Sequence, residues 1–348
     1  MDNKFERYFA ILGTIVTLVS GIVTPQLQQN EQQILWGSLG FVFLVWLSNY
    51  LGRLYIKNKL KQTLLKQPFN EALLEYFKNL KNEGKDAEII RWGLALSKPL
   101  WLSQNFELRK EIGEYVETAA IKRDNKNALL KVLVDEIGWT NIEMLDYSGG
   151  EIKLKQAIEL AKELNDFPLL AKAYRHLNAS SIRQNQIQQA ERFLEESLRA
   201  TNQIQTPKIK DELVAEYYFA KATIELKKGR LDVAIHDIEI SKELYENLKD
   251  KEWPLKIWAR KGEILLEQGK IEEAKNIFIK GTHIAKEQHY LRQQVKNEIG
   301  LALCYSKDGH NKNAIEHLTG AKLLAEGLGM FYELDIINKE LIKIRNRH

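Results

Sequence analysis

Only one cysteine, Cys304, and six prolines occur in 348 residues. A lone thiol excludes an intramolecular disulfide and suits a reducing compartment. Five of the six prolines lie beyond residue 52, so little interrupts helix formation in that long stretch. No run alternates apolar and polar residues in the manner of a half-buried strand. There is no GxxxxGK[ST] phosphate loop and no HExxH pair. The seven histidines, His176, His236, His283, His289, His310, His317 and His348, fall at no recognised ligand spacing. Cys304 has no activating base in its local sequence, so it reads as a packing residue. Neither a catalytic residue nor a metal or cofactor site is expected.

A basic face for nucleic acid is also missing. The formal charge of +4 is smaller than the excess carried by residues 53–70, where Arg53, Lys57, Lys59, Lys61 and Lys66 meet no acid. From Glu71 onward the charges nearly cancel. The excess therefore belongs to one short segment and not to a folded surface, and no nucleic-acid partner is expected.

Charge is absent from two apolar runs, Tyr8 to Thr24 and Ile34 to Leu51, of 17 and 18 residues, separated by the polar PQLQQNEQQ. At helical rise each would span roughly 25–27 Å, close to a bilayer's hydrocarbon thickness. They read as a transmembrane helical hairpin. The lysines and arginines flanking the pair put both termini on the cytoplasmic side of a bacterial inner membrane, a multi-pass placement. Residues 53–70 would then meet anionic lipid. Gly13, Thr17 and Gly21 form a small-residue stripe suited to helix packing or to homo-oligomerisation.

Beyond residue 52 apolar residues recur at three- and four-residue spacing, as in FELRKEIGEYVETAAIKR, which is the pattern of amphipathic helices. An internal repeat organises them. Gly229, Gly269 and Gly309 lie 40 residues apart, and each is followed five residues later by alanine, at Ala234, Ala274 and Ala314. The stretches are KKGRLDVAIHDI, EQGKIEEAKNIF and KDGHNKNAIEHL. Each glycine reads as the end of a helix in the left-handed conformation. Each alanine reads as the site where the next helix comes close.

These residues resemble the tetratricopeptide (TPR) repeat family. Trp258, Gly262, Gly269, Ala274, Phe278 and Gly281 fall on its pattern in the unit from Leu255. Ala302, Tyr305, Gly309, Ala314 and Ala321 do so in the unit from Val295, and Tyr218, Ala222, Gly229, Ala234 and Ser241 in the unit from Ala215. A weaker unit from Ala171 keeps Tyr174 and Ala190, and one weaker still surrounds Ala157. The 40-residue spacing exceeds the family's usual unit, so longer helices are expected. The stretch from RWGLALSKPLWLSQ to DEIGWTNIEM also resembles helical arrays attached to bacterial signalling NTPases. The expected fold is all-α: two transmembrane helices followed by a TPR-like α-solenoid. Its parts would be a hairpin over 1–52, juxtamembrane and irregular helices over 53–150, the solenoid over 151–329 and a capping helix over 330–348. A basic segment continuing from the second run would extend as helix to Pro68.

In that family the first helix of each unit lines a concave groove. The resemblance assigns Lys172, Arg175, Arg183, Phe219, Lys227, Lys256, Ala259, Glu263, Lys296, Ile299 and Lys307 to it. Lys256 and Arg260 in KIWARKGE resemble half of a carboxylate clamp, with Arg175 as a further cation. Ala179 and Ala220 stand where the clamp's asparagines would be. The implied partner is a protein or an acidic peptide, held by charge-assisted hydrogen bonds. The function expected is a membrane-anchored, non-enzymatic adaptor. The alternative is a membrane effector of a bacterial defence or toxin system, whose repeats sense a ligand and whose hairpin oligomerises to perturb the bilayer.

Overall fold

The chain divides between Tyr55 and Ile56, and the computed structural model describes residues 59–248 and 253–346. Among these every regular element is helical. A long helix, α1 (Lys59–Asn82), leads into α2 (Asp86–Leu102) and α3 (Phe106–Lys122). The next run, residues 126–143 (α4), changes type along its length. It is α-helical over Lys126–Lys131, π-helical over Val132–Trp139 and α-helical again over Thr140–Glu143. Ten helices follow: α5 (Tyr147–Leu164), α6 (Phe167–Arg183), α7 (Ile187–Asn202), α8 (Pro207–Lys227), α9 (Leu231–Leu248), α10 (Trp253–Glu267), α11 (Ile271–Glu287), α12 (Leu291–Lys307), α13 (Asn311–Gly327) and α14 (Phe331–Arg345).

Turn chemistry sets a regular beat. Left-handed residues occur at Gly84, Gln104, Asp124, Leu145, Asn165, Asn185, Gly229, Gly269, His289, Gly309 and Gly329. Most follow one another at intervals of twenty residues, a helix of about seventeen plus a short turn. After each, the next amide reaches back to the carbonyl five residues earlier, as in Lys270 to Leu265 at 2.9 Å and Asn125 to Ala120 at 2.8 Å. This closes the helix end in a Schellman turn. Two such helices account for the 40-residue repeat, and the expected lengthening of the unit is present.

Even-numbered helices form an inner layer and odd-numbered ones an outer layer. Inner neighbours touch one another, α6 with α8, α10 with α12 and α12 with α14, while each also packs on its own outer partner. Ala190, Ala234, Ala274 and Ala314 are fully buried where outer helices approach. The same logic places Phe278 of α11 as a wedge between two inner helices. A Cβ on Gly262 of α10 would lie 2.7 Å from its ring, and one on Gly300 of α12 would lie 2.3 Å from it. Only glycine lets both backbones close on the ring.

The pairing begins at Asp86, so regular hairpins run through the segment expected to be irregular, and residue 150 falls inside α5. Helix α1 passes through Pro68 without ending there.

One expectation is corrected. Among the described residues no helix is long and apolar enough to cross a membrane. The longest, α1, has 24 residues with lysines and glutamates spread along its length, and hydrocarbon would strip those charges of water. The multi-pass assignment at a bacterial inner membrane therefore has no helix among the described residues to carry it. The two apolar runs, with Gly13, Thr17 and Gly21, lie outside the described residues.

Candidate functional site: the inner face of the solenoid

Inner helices present one side chain roughly every turn to the solenoid's interior, and those residues join successive units by charge. Lys172 of α6 reaches Asp135 of α4, Nζ to Oδ2 at 2.7 Å. Arg175 pairs with Glu216 of α8, Nε to Oε2 at 2.5 Å. Arg183 reaches Glu143 at the end of α4, 2.6 Å. Lys296 of α12 lies 3.6 Å from Glu333 of α14. The Arg260 guanidinium pairs with Glu263 one turn along α10. Lys307 bonds to Glu267 at 3.0 Å from the solvent-exposed end of α12. The interior is thus a lattice of both signs and not purely basic.

Aromatic rings form a second cluster. Trp253 stacks on Tyr245 with centroids 4.4 Å apart and meets Phe219 edge-on at 5.5 Å. Lys256 lies over the Trp253 ring at 4.2 Å and Arg260 over Phe219 at 5.5 Å. Phe219, Lys256 and Arg260 are therefore brought together, from α8 and α10. Ala259 and Ile299 are buried as packing residues, and Lys227 is exposed at the end of α8.

The π-helical turn positions the N-terminal part of the face. A π-helix shifts hydrogen bonding by a residue and frees carbonyls. The buried Arg109 takes up this slack, donating from Nη1 to the Asp135 carbonyl at 2.6 Å and to Thr140 Oγ1 at 2.5 Å. Its other nitrogens hold Ser97, through the carbonyl at 3.2 Å and Oγ at 3.0 Å. Asp135, Trp139 and Glu143 are thereby set toward α6. His176 stacks on Trp139 at 4.5 Å and lies 3.4 Å from Asp135. Burial dominates this imidazole and pushes its pKa down to about 3, so it is neutral at physiological pH. Burial opposes the charge of Asp135, but His176 and Lys172 more than offset that and hold its pKa well below the carboxylate range.

Sequence reasoning missed the tightest assembly. Arg292 of α12 bonds to Gln104 Oε1 and to Glu143 Oε2, both at 2.6 Å, across 188 and 149 residues of chain. Two arginines therefore grip one carboxylate, Arg183 on one oxygen and Arg292 on the other. Each guanidinium lies over two rings: Arg183 over Trp139 and Tyr332, Arg292 over Trp101 and Phe106. Burial disfavours the Glu143 charge, yet the two arginines outweigh it and hold its pKa down to about 2. The coil consequently returns on itself, the start of α12 and the α13–α14 turn meeting the α2–α3 turn. A local signal existed only for Trp101 and Trp139, as large rings in the N-terminal units.

Cys304 is fully buried, and burial raises its thiol to about 11. Among the described residues no three His, Cys, Asp or Glu side chains gather as metal ligands.

No protein-family model and no curated protein sequence matches the chain. Solved structures do. The apo form of RapI aligns with 83% of this chain and 98% of its own, at 12% identity and a TM-score of 0.59. The apo form of the quorum sensor NprR from B. thuringiensis aligns with 98% of this chain and 99% of its own, at 14% identity and a TM-score of 0.49. A signal transduction ATPase with numerous domains and a tetratricopeptide repeat sensor, from Pyrococcus horikoshii, matches 77% of this chain; the chain spans 41% of that protein, at 17% identity and a TM-score of 0.49. The likeness to RapI is one of fold. The second unit of the chain is an all-helical, TPR-like solenoid.

Proposed function

We propose that the chain is a non-catalytic binding scaffold that takes a peptide or protein segment along the inner face of its solenoid. The observation that carries this reading is the ladder of ion pairs joining α4, α6, α8, α12 and α14 on that face. Ion pairs withdrawn from water contribute little net stability compared with apolar residues of the same size. The outer interfaces, by contrast, are filled with alanine, leucine and isoleucine. A stack held only for its own sake would need no such charges inside. The half-buried members Lys172, Asp135 and Arg175 and the more exposed Lys296 can exchange partners, and an extended segment carrying both signs would find acids and bases spaced by successive helices.

Phe219 and Trp253, backed by the buried Tyr245, supply an apolar anchor beside Lys256 and Arg260. Large rings beside cations are the residue types that dominate binding energies at interfaces.

The test is selection of random peptides displayed on phage against the intact chain. Selected peptides should lose at least about tenfold in affinity on Arg175→Glu and on Phe219→Ala, since truncating an anchor residue costs about 2 kcal/mol or more. Peptides that bind both variants like the parent would place binding elsewhere and overturn the reading.

A further inference from the structure

Around the Glu143 clamp the charges do not balance. Arg183, Arg292 and Lys296 converge from α6 and α12, whereas Glu143 and Glu333 are the carboxylates that answer them. The nearby Arg260 is taken by Glu263 and Asp335 by Lys339, so neither alters the sum. The two arginines are committed to Glu143, one to each carboxylate oxygen, with a second bond from Arg183 to the Ile142 carbonyl and from Arg292 to Gln104. The surplus therefore falls on Lys296. Its Nζ stands 3.6 Å from Glu333 Oε1, an ion-pair distance beyond a good hydrogen bond. Its side chain is 40% exposed, while Glu143 and Glu333 beside it are buried. The ammonium is thus enclosed by helices yet reachable by solvent.

Surplus charge in an enclosure is costly unless an opposite charge answers it. Enclosure disfavours the Lys296 cation, Glu333 favours it, and Arg292 and Arg183 push against it, leaving its pKa below the usual lysine range. A ligand anion would remove that penalty.

We propose that Lys296, backed by Arg183 and Arg292, is the binding site for one carboxylate of a peptide lying on the inner face. This assignment rests on the reading of that face as a binding surface and goes further by naming the ligand group and its seat. The carboxylate would accept hydrogen bonds from Nζ of Lys296, which has three donors and uses none of them at hydrogen-bond distance on Glu333. It does not use the Lys256 and Arg260 pair that resembles a clamp in the sequence, and it is built by units distant in the chain. The carboxylate can come from an acidic side chain or from a peptide C-terminus.

The experiment uses the intact chain and fluorescein-labelled octapeptides read by fluorescence anisotropy. One peptide carries four glutamates, a second carries glutamines in their place, and each is made with a free and an amidated C-terminus. The glutamate peptide should bind, with a loss of about tenfold on Lys296→Met, in line with removing one member of an enclosed charge pair. Lys296→Arg should retain binding, and Lys339→Met, on the exposed side of α14, should leave it unchanged. Helicity of each variant is checked by circular dichroism, and Lys296→Arg guards against a fold effect. Weakening on amidation assigns the C-terminus as the source; indifference to it assigns the side chains. Equal binding of the glutamine peptide, unchanged binding on Lys296→Met, or no binding to the parent would each overturn the proposal. Should phage-selected peptides bind the inner face yet ignore Lys296→Met, the general reading would stand and this site would fall.

Discussion

The N-terminal and C-terminal halves of the solenoid keep the same twenty-residue beat with different chemistry at the turns. In the C-terminal half the left-handed position is mostly glycine, at Gly229, Gly269, Gly309 and Gly329. The helices that follow, preceded by Lys270, His310 and Met330, have no side-chain cap. In the N-terminal half one turn keeps glycine, at Gly84, while Gln104, Asp124, Leu145, Asn165 and Asn185 hold the others. After Asp124, Leu145 and Asn165 the next residue is Asn125, Asp146 or Asp166, whose side chain accepts the amide three residues on at 2.9–3.0 Å. A side chain at positive φ costs about 1–2 kcal/mol, and an Asx cap returns about 1 kcal/mol. The glycine turns avoid the strain and omit the cap, and the turns at Asp124, Leu145 and Asn165 accept the strain and add the cap. Gln104, Asn185 and His289 carry the strain with no side-chain cap. Equal geometry does not require equal residues.

The sharpest way to break the comparison is to remove what one half alone possesses. Phe278→Ala takes out the ring wedged between Gly262 and Gly300, and no small residue nearby can fill the space. A loss of about 3–5 kcal/mol is expected in urea unfolding. Because a solenoid's units couple mainly to neighbours, hydrogen exchange should rise first in α10 to α12 and leave α5 to α7 protected. Uniform loss of protection would mean that the clamp between distant units welds the solenoid into one cooperative body.

That clamp provides the next test. Glu143→Gln leaves Arg183 and Arg292 facing each other across a neutral amide, and breaking a buried pair on one side costs about 3 kcal/mol or more. The contact between α12 and the α2–α3 turn should loosen, so exchange should increase at Gln104 and Arg292 together. Increase at only one of them would show that the two ends are held by something besides this carboxylate.

A pH titration separates the halves further. His176 is neutral when folded, with a pKa near 3 set first by burial, whereas an unfolded histidine titrates near 6.5. Between those values the unfolded chain binds the extra proton, so stability falls as pH drops from about 6.5 toward 3, by up to about 1.4 kcal/mol per unit. Glu143 acts in the same direction lower down: its stabilisation is complete above the ordinary carboxylate value and fades as pH approaches about 2. His176→Phe should flatten the upper limb. A slope that survives in that variant would assign it to other groups.

These differences explain what the sequence shows and what it hides. The 40-residue repeat is legible where glycine and alanine mark it, at Gly229 and Ala234 and their two successors, and the C-terminal units follow from that. Residues 86–143 read as irregular because Gln104, Asp124 and Leu145 occupy the turn without announcing it, and because the π-helical turn in α4 breaks the α period. The inner positions Lys172, Arg175, Arg183 and Lys296 are legible from the unit pattern. Their partners are not, since Glu143 meets Arg292 across 149 residues and nothing local couples them. A basic groove was therefore visible and its acids were not.

The finest test exchanges the two turn chemistries. Leu145→Gly relieves a bulky residue at φ 66° while keeping the Asp146 cap. It should stabilise the chain by up to about 1 kcal/mol, the strain relieved being partly offset by the greater freedom of glycine in the unfolded chain. Lys270→Asp places a cap after the unstrained Gly269 and should add about 0.5–1 kcal/mol. Asp166→Ala removes a cap while the left-handed Asn165 stays, and should cost about 1 kcal/mol. Thermal unfolding of the three variants and of the first two combined reads the result. Residues 145 and 270 belong to different units, so their gains should add. A gain at 270 with none at 145 would mean that Leu145, exposed in the turn after Glu143, is held there by something other than backbone geometry, and the N-terminal half would then be keeping its strain for a contact that glycine cannot make.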